Sequence, residues 1–242
     1  AQRPAANLVF LIDVSGSMSG PRKLPLLKAS LKLLVGKLGG RDRISIVVYA
    51  GQAGVVLEPV SGDEKAAINS AIDRLAVGGS TAGGAGLRLA YEMASRGYIT
   101  DGINRILLAT DGDFNVGVSD IRELRGLVAD KRRDGISLTT LGFGSGNYNE
   151  ALMEQIADVG DGNYSYIDSL KEAKDFVADL INLCEDDQDK QLENKVREAM
   201  KPVFESWAGR KYLDDFSTEE TQAVILKARN LALDKLVNSE GS

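Results

Sequence analysis

The residues best suited to chemistry begin at Asp13, in the run Asp13-Val14-Ser15-Gly16-Ser17-Met18. Asp13 ends an apolar stretch, and two hydroxyls follow it at alternate positions on a turn. That layout presents one carboxylate and two hydroxyl oxygens to a common point. Gly16 and Gly20 are expected to supply the tight backbone this convergence needs. A carboxylate among neutral hydroxyls suits a hard cation. The same run also reads as an ordinary strand-to-helix turn with serine caps. Two further segments bear on the choice. Gly78-Gly79-Ser80-Thr81-Ala82-Gly83-Gly84 is a Gly-rich loop before a helical pattern, with Thr81 near its centre. By itself it reads equally as a flexible loop or an anion-binding nest. Ala109-Thr110-Asp111-Gly112-Asp113 sets Asp111 at the end of a second apolar run. By itself it is an Asp-Gly turn, with Asp113 an exposed turn carboxylate.

Composition limits what else the chain can do. Its 242 residues include no His and a single Cys. Ser-His-Asp and Cys-His machinery cannot be built within it. Neither His-based nor Cys-rich zinc sites are possible, so a metal must sit among oxygen ligands, as Mg²⁺ or Ca²⁺ does. The formal charge of −6 argues against a nucleic-acid partner, because no basic excess replaces phosphate counterions. The lone Cys184 excludes an intrachain disulfide. No apolar run approaches the roughly 18 residues of a membrane helix, so no membrane span is expected.

The elements that must position these residues alternate along the chain. Strands are expected at Leu8–Val14, Ile44–Ala50, Val55–Leu57, Arg105–Thr110, Ser137–Phe143 and Asn163–Ile167. Most are nearly continuous apolar runs, the pattern of strands covered on both faces. Between them, Leu24, Leu27, Leu31, Leu34 and Leu38 recur at helical spacing, as do Ile68, Ile72 and Leu75. Further helical patterns cover Leu87–Met93, Ile121–Val128, Leu152–Val159 and Leu170–Leu183. Ser61 with Glu64 and Ser169 with Glu172 fit capping boxes, and Pro25 suits a first helical turn.

This alternation predicts an α/β fold: a doubly wound, Rossmann-like, mainly parallel six-stranded sheet with right-handed crossovers. Only Gly51–Gly54 separate the second strand from Val55–Leu57, which fits a hairpin and one antiparallel edge strand. In such a sheet the loops after Asp13, before Thr81 and around Asp111 emerge on the same edge, at the carboxyl ends of the strands.

The pattern changes after residue 184, giving a division into 1–184 and 185–242. Cys184–Lys190 is polar and acidic, and two amphipathic helical patterns follow, joined by Gly209–Phe216. This C-terminal helical extension reads as a hairpin. It holds 13 acidic and 9 basic residues, and so carries four of the six net negative charges. Gly142-Phe143-Gly144-Ser145-Gly146 lacks the full dinucleotide-binding pattern and follows a late strand.

Taken together, the motifs resemble the von Willebrand factor type A domain, also called the integrin I-like domain. LVFLIDVSGSM, GGSTAGGAGL and ILLATDGDFNVG are most similar to bacterial, often exported, members. The resemblance covers about residues 5–183. The family's metal-ion-dependent adhesion site is a DxSxS run, a Thr from a second loop and an Asp from a third. These fall here on Asp13, Ser15 and Ser17, then Thr81, then Asp111. The resemblance implies that Ser15, Ser17 and Thr81 contact a divalent cation, with Asp13 and Asp111 acting through waters or from behind the ligands. Mg²⁺ suits such a site, with Mn²⁺ or Ca²⁺ as substitutes. The expected partner is a protein contributing an Asp or Glu to the metal. The family also couples this site to movement of the domain's last helix, here about Ser169–Leu183.

A non-enzymatic adhesion or interaction module is therefore the leading expectation. The alternative is a structural or assembly subunit, such as an ATPase partner, in which the metal only stabilises the fold. A phosphoryl-transfer enzyme with Asp13 as nucleophile is disfavoured. Ser15 stands where aspartyl phosphatases place a second Asp, and the nearby loops offer no evident phosphate-clamping Lys. The chain shows no signal peptide, and Ala1-Gln2-Arg3-Pro4 fits a processed or truncated start. An exported or cell-surface bacterial location rests on the resemblance only.

Overall fold

A computed structural model describes residues 3–50, 52–78, 83–112, 118–144 and 150–181. The expected helices of 185–242, Thr81, Asp113 and residues 145–146 lie outside the described residues. Six strands form one sheet: β1 (Ala6–Asp13), β2 (Arg43–Tyr49), β3 (Ala53–Ser61), β4 (Ile103–Thr110), β5 (Ile136–Phe143) and β6 (Tyr164–Ile167). Their spatial order is β3-β2-β1-β4-β5-β6. Every pairing is parallel except β2 with β3, which is antiparallel and carries register shifts near Ile46. The expected doubly wound sheet with one antiparallel edge is present.

The helices are α1 (Leu24–Lys37), α2 (Lys65–Arg74), α3 (Gly83–Arg96), α4 (Val118–Arg133), α5 (Glu150–Val159) and α6, residues 170–181. Alternate residues of β1 serve two separate cores, because strand side chains alternate between faces. Leu8, Phe10 and Ile12 pack with Leu27, Leu31 and Leu34 of α1, Ile68 and Ile72 of α2, and Phe176 and Leu180 of α6. Val9 and Leu11 pack on the other face with Leu87 and Ala90 of α3, Leu124 and Val128 of α4, and Met153 and Ile156 of α5. All eight residues of β1 and all eight of β4 are buried. That double coverage explains why both strands read as unbroken apolar runs.

The local expectations held unevenly. Pro25 lies in the first turn of α1. Ser169 caps α6: its Oγ accepts from Glu172 N at 3.3 Å, and the Glu172 carboxylate accepts from Asp168 N at 2.7 Å. The Ser61–Glu64 capping box is not formed. Ser61 ends β3 and donates its hydroxyl to Gly40 O at 3.0 Å, while α2 has no side-chain cap. β3 is nine residues long, against the three expected. Its nearly uniform partial exposure and Pro59 mark an edge strand, and they hide it from a search for apolar runs.

Opposite the site, at the amino ends of the strands, Asp42 is 2% exposed. Its carboxylate accepts from Ala6 N (2.9 Å), Gly39 N (2.8 Å) and Arg3 Nη2 (2.6 Å), tying the start of β1 to the loop before β2.

Candidate metal centre

β1 and β4 are neighbours where the strand order turns back. Ligand crevices in doubly wound sheets open there, beyond the carboxyl ends of the strands. Asp13 is the last residue of β1, and Asp111 follows the last residue of β4. The register pairs Ile12 with Ala109, so Asp13 lies level with Thr110. Of the five residues assigned from sequence, the structure therefore brings Asp13, Ser15, Ser17 and Asp111 to one edge. Thr81 lies outside the described residues. Its loop starts at this edge, because Gly78 N donates to Val14 O at 2.7 Å.

Asp13 is fully buried, and both of its carboxylate oxygens are held. Oδ1 accepts from Ser15 N at 2.8 Å, and Oδ2 accepts from Thr110 Oγ1 at 3.0 Å. Thr110 Oγ1 is itself fixed by accepting from Gly112 N at 3.1 Å. Gly112 has φ +94°, a conformation that glycine adopts freely. Burial pushes the Asp13 carboxyl above its ordinary value. The Ser15 and Thr110 hydrogen bonds pull it down, and the neighbouring Asp111 charge adds to the rise. A buried carboxylate whose charge is disfavoured gains from a cation placed near it.

Ser15 is 3% exposed, whereas Ser17 is open to solvent. Their hydroxyl oxygens are 2.9 Å apart. Octahedral Mg²⁺ at 2.0–2.1 Å per ligand spaces adjacent oxygens by about 2.9 Å. The pair thus fits two neighbouring positions on such an ion with little movement. Gly16 and Gly20 play a different part from the one expected. Gly16 belongs to the one-turn 3-10 helix Gly16–Ser19, and Gly20 has φ −69°, so neither uses the left-handed freedom of glycine.

One cation is already present. Lys23 Nζ lies 2.8 Å from Asp111 Oδ2 and donates to Ser17 O at 3.0 Å. The Asp111 side chain is only 4% exposed, so this is an ion pair at the rim of a buried carboxylate. The Asp111 carboxylate thus has a cationic side chain of the chain itself as its partner. Among the described residues no three His, Cys, Asp or Glu side chains converge as a metal cluster. A cation held at this edge would rest on the Ser15 and Ser17 hydroxyls as much as on the Asp13 and Asp111 carboxylates.

Sequence reasoning missed two residues at the centre. Thr110 was passed over as the last residue of an apolar run; its place beside Asp111 was the available signal. Lys23 is overlooked when the nearby loops are read as offering no evident phosphate-clamping lysine; its ammonium reaches Asp111. Next to the Ser15–Ser17 turn lies an open groove of about 250 Å³, lined by Met18, Ser19, Leu24, Pro25, Lys28 and Val77. Val77 is 40% exposed there.

Known proteins share this fold. The Escherichia coli protein YfbK is 58% identical over 171 residues, spanning 71% of this chain and 30% of YfbK. Among solved structures, proximal thread matrix protein 1 from the mussel byssus, with a zinc-occupied MIDAS motif, is 26% identical with a TM-score of 0.59. The match covers 75% of this chain and 46% of that one. A von Willebrand factor type A structure from Catenulispora acidiphila is 21% identical with a TM-score of 0.61, covering 74% of this chain and 42% of that one. The matched region is under half of each of these proteins. The von Willebrand factor type A domain model matches residues 7–179, most of the chain, and with the sheet order and the Asp13–Asp111 edge it establishes that the chain belongs to the von Willebrand factor type A domain family.

Proposed function

We propose that the domain is a non-enzymatic protein-binding module whose complete metal-ion-dependent adhesion site captures an acidic residue of a protein ligand through Mg²⁺. The observation that carries this reading is the convergence of Asp13, Ser15, Ser17 and Asp111 at the switch point of the sheet. Ser15 and Ser17, with Thr81 assigned from its loop motif, are the direct ligands. Asp13 and Asp111 orient them and balance charge. A bound divalent ion supplies an open coordination position for a carboxylate oxygen. The chain's own residues do the rest. Thr110 and Ser15 N fix Asp13, and the apolar groove from Met18 to Val77 offers adjoining surface to a partner.

The burial of Asp13 supports a binding role over covalent chemistry. A nucleophilic carboxylate must approach its substrate, whereas Asp13 is enclosed with both oxygens hydrogen-bonded. The 58% identity to an Escherichia coli protein supports a bacterial type of domain. Residues 1–184 form this domain in the proposal, and 185–242 form a separate helical extension.

The test is retention of partners on immobilised protein in MgCl₂ and again in EDTA, with Asp13→Ala in parallel. Partners held only by the parent protein and only in MgCl₂ fit the proposal. The same partners on Asp13→Ala, or in EDTA, refute it.

A further inference from the structure

Lys23 is built into the edge of the site rather than resting on it. It immediately precedes α1, and its side chain runs back over the loops toward Asp111. Gly144, at φ +89° just past β5, leaves the room for that path. A Cβ at position 144 would lie 2.6 Å from Lys23 Cε, and one at Gly20 would lie 3.6 Å from Lys23 Cδ. The carbonyl of Gly144 is in turn tethered by the Tyr166 hydroxyl. The ammonium therefore ends on Asp111 Oδ2 and on the Ser17 carbonyl, beside the Ser15–Ser17 hydroxyl pair.

Resting on the metal-site reading above, we infer that Lys23 is a tethered cation that competes with the divalent ion for Asp111 and so sets the metal affinity of the site. The competing charge is part of the chain and is always present. A divalent ion that engages Asp111 either shares its carboxylate with the ammonium or displaces it from Asp111 and the Ser17 carbonyl. Like-charge repulsion or loss of the ion pair opposes metal binding in both cases. The charge count adds a consequence for the ligand. Asp13 and Asp111 with a divalent ion are neutral, and Lys23 leaves the loaded site at +1. That residual charge favours an incoming carboxylate. By reciprocity of linkage, an acidic ligand then raises metal affinity. The site is thus tuned to hold metal weakly alone and tightly with its partner.

The experiment is calorimetric titration of MgCl₂ into EDTA-stripped, dialysed protein for the parent, Lys23→Met, Lys23→Gln, Lys23→Arg and Asp13→Ala, with thermal melts of each metal-free form. Lys23→Met and Lys23→Gln are expected to bind Mg²⁺ about tenfold more tightly, or about 1.4 kcal/mol. Lys23→Arg should stay near the parent, because it keeps the charge. The metal-free melting temperature should fall in Met and Gln, while the rise on adding Mg²⁺ grows. If the parent binds Mg²⁺ and both neutral variants bind it equally or less tightly, Lys23 only positions Asp111 and the inference is overturned. If the parent binds no better than Asp13→Ala, the metal-site reading itself falls, and the inference with it.

Discussion

Replacing Thr110 with Val gives a sharp test of how the site is organised. The two side chains have nearly the same shape, and Thr110 is fully buried, so no cavity is created. What is lost is one hydroxyl with two roles. It donates to Asp13 Oδ2 at 3.0 Å and accepts from Gly112 N at 3.1 Å. A hydrogen bond to a charged group contributes about 1.5–3 kcal/mol, and a buried N–H left without an acceptor costs about 1–3 kcal/mol. The better burial of a methyl offsets part of this, giving a net loss of about 3 kcal/mol. At roughly 2–4 °C per kcal/mol for a domain of this size, the melting temperature should fall by about 6–12 °C. Mg²⁺ affinity should fall by about 10- to 100-fold, the usual effect of removing a group that orients a metal ligand. Thr110→Ser keeps the hydroxyl and should recover most of both. The assays are thermal melts in EDTA and calorimetric Mg²⁺ titration. A Val variant within about 1 kcal/mol of the parent and with unchanged Mg²⁺ affinity would refute the claim that Thr110 holds Asp13.

Other perturbations separate function from stability. Ser17→Ala removes an exposed hydroxyl, so the metal-free melt should shift by less than about 0.5 kcal/mol while Mg²⁺ binding weakens; calorimetry and urea unfolding check the two halves. Asp42→Ala should do the reverse. It strands Ala6 N and Gly39 N and leaves Arg3 unpaired, which should cost about 3 kcal/mol in urea unfolding with no change in metal affinity. Chelation of divalent ions by EDTA should lower the melting temperature and release bound partners together. A lowered melt with partners retained would point to the assembly role instead, with the metal serving only the fold.

The fold was legible because the doubly covered strands β1 and β4 are uniformly apolar, and because the helices between strands keep their hydrophobic stripes. The edge was harder to read. β3 is half exposed and interrupted by Pro59, so only its most apolar part resembled a strand, and Ser61 was assigned to a helix cap when it closes the strand. The site was legible where carboxylates and hydroxyls cluster in sequence. Asp13, Ser15 and Ser17 meet at one turn, and the alternation of elements carries Asp111 to the same edge. Thr110 and Lys23 were not legible, for different reasons. The role of Thr110 depends on β1 and β4 being neighbours in register, a contact 97 residues apart in sequence. Lys23 precedes α1 by a single residue, and nothing local shows that its side chain turns back over Gly144 toward Asp111. At Gly16 and Gly20 glycine suggested a tight backbone that needs its special freedom, and the backbone is an ordinary 3-10 turn with an extended end.

The most direct measurement is anomalous diffraction from crystals of the chain soaked in MnCl₂, compared with crystals of Asp13→Ala soaked in the same way. The account predicts a single strong Mn²⁺ peak within coordination distance of Ser15 Oγ and Ser17 Oγ, at the edge shared with Asp111, and its loss in the variant. Absence of that peak in the parent, or a peak of equal height in Asp13→Ala, would contradict it.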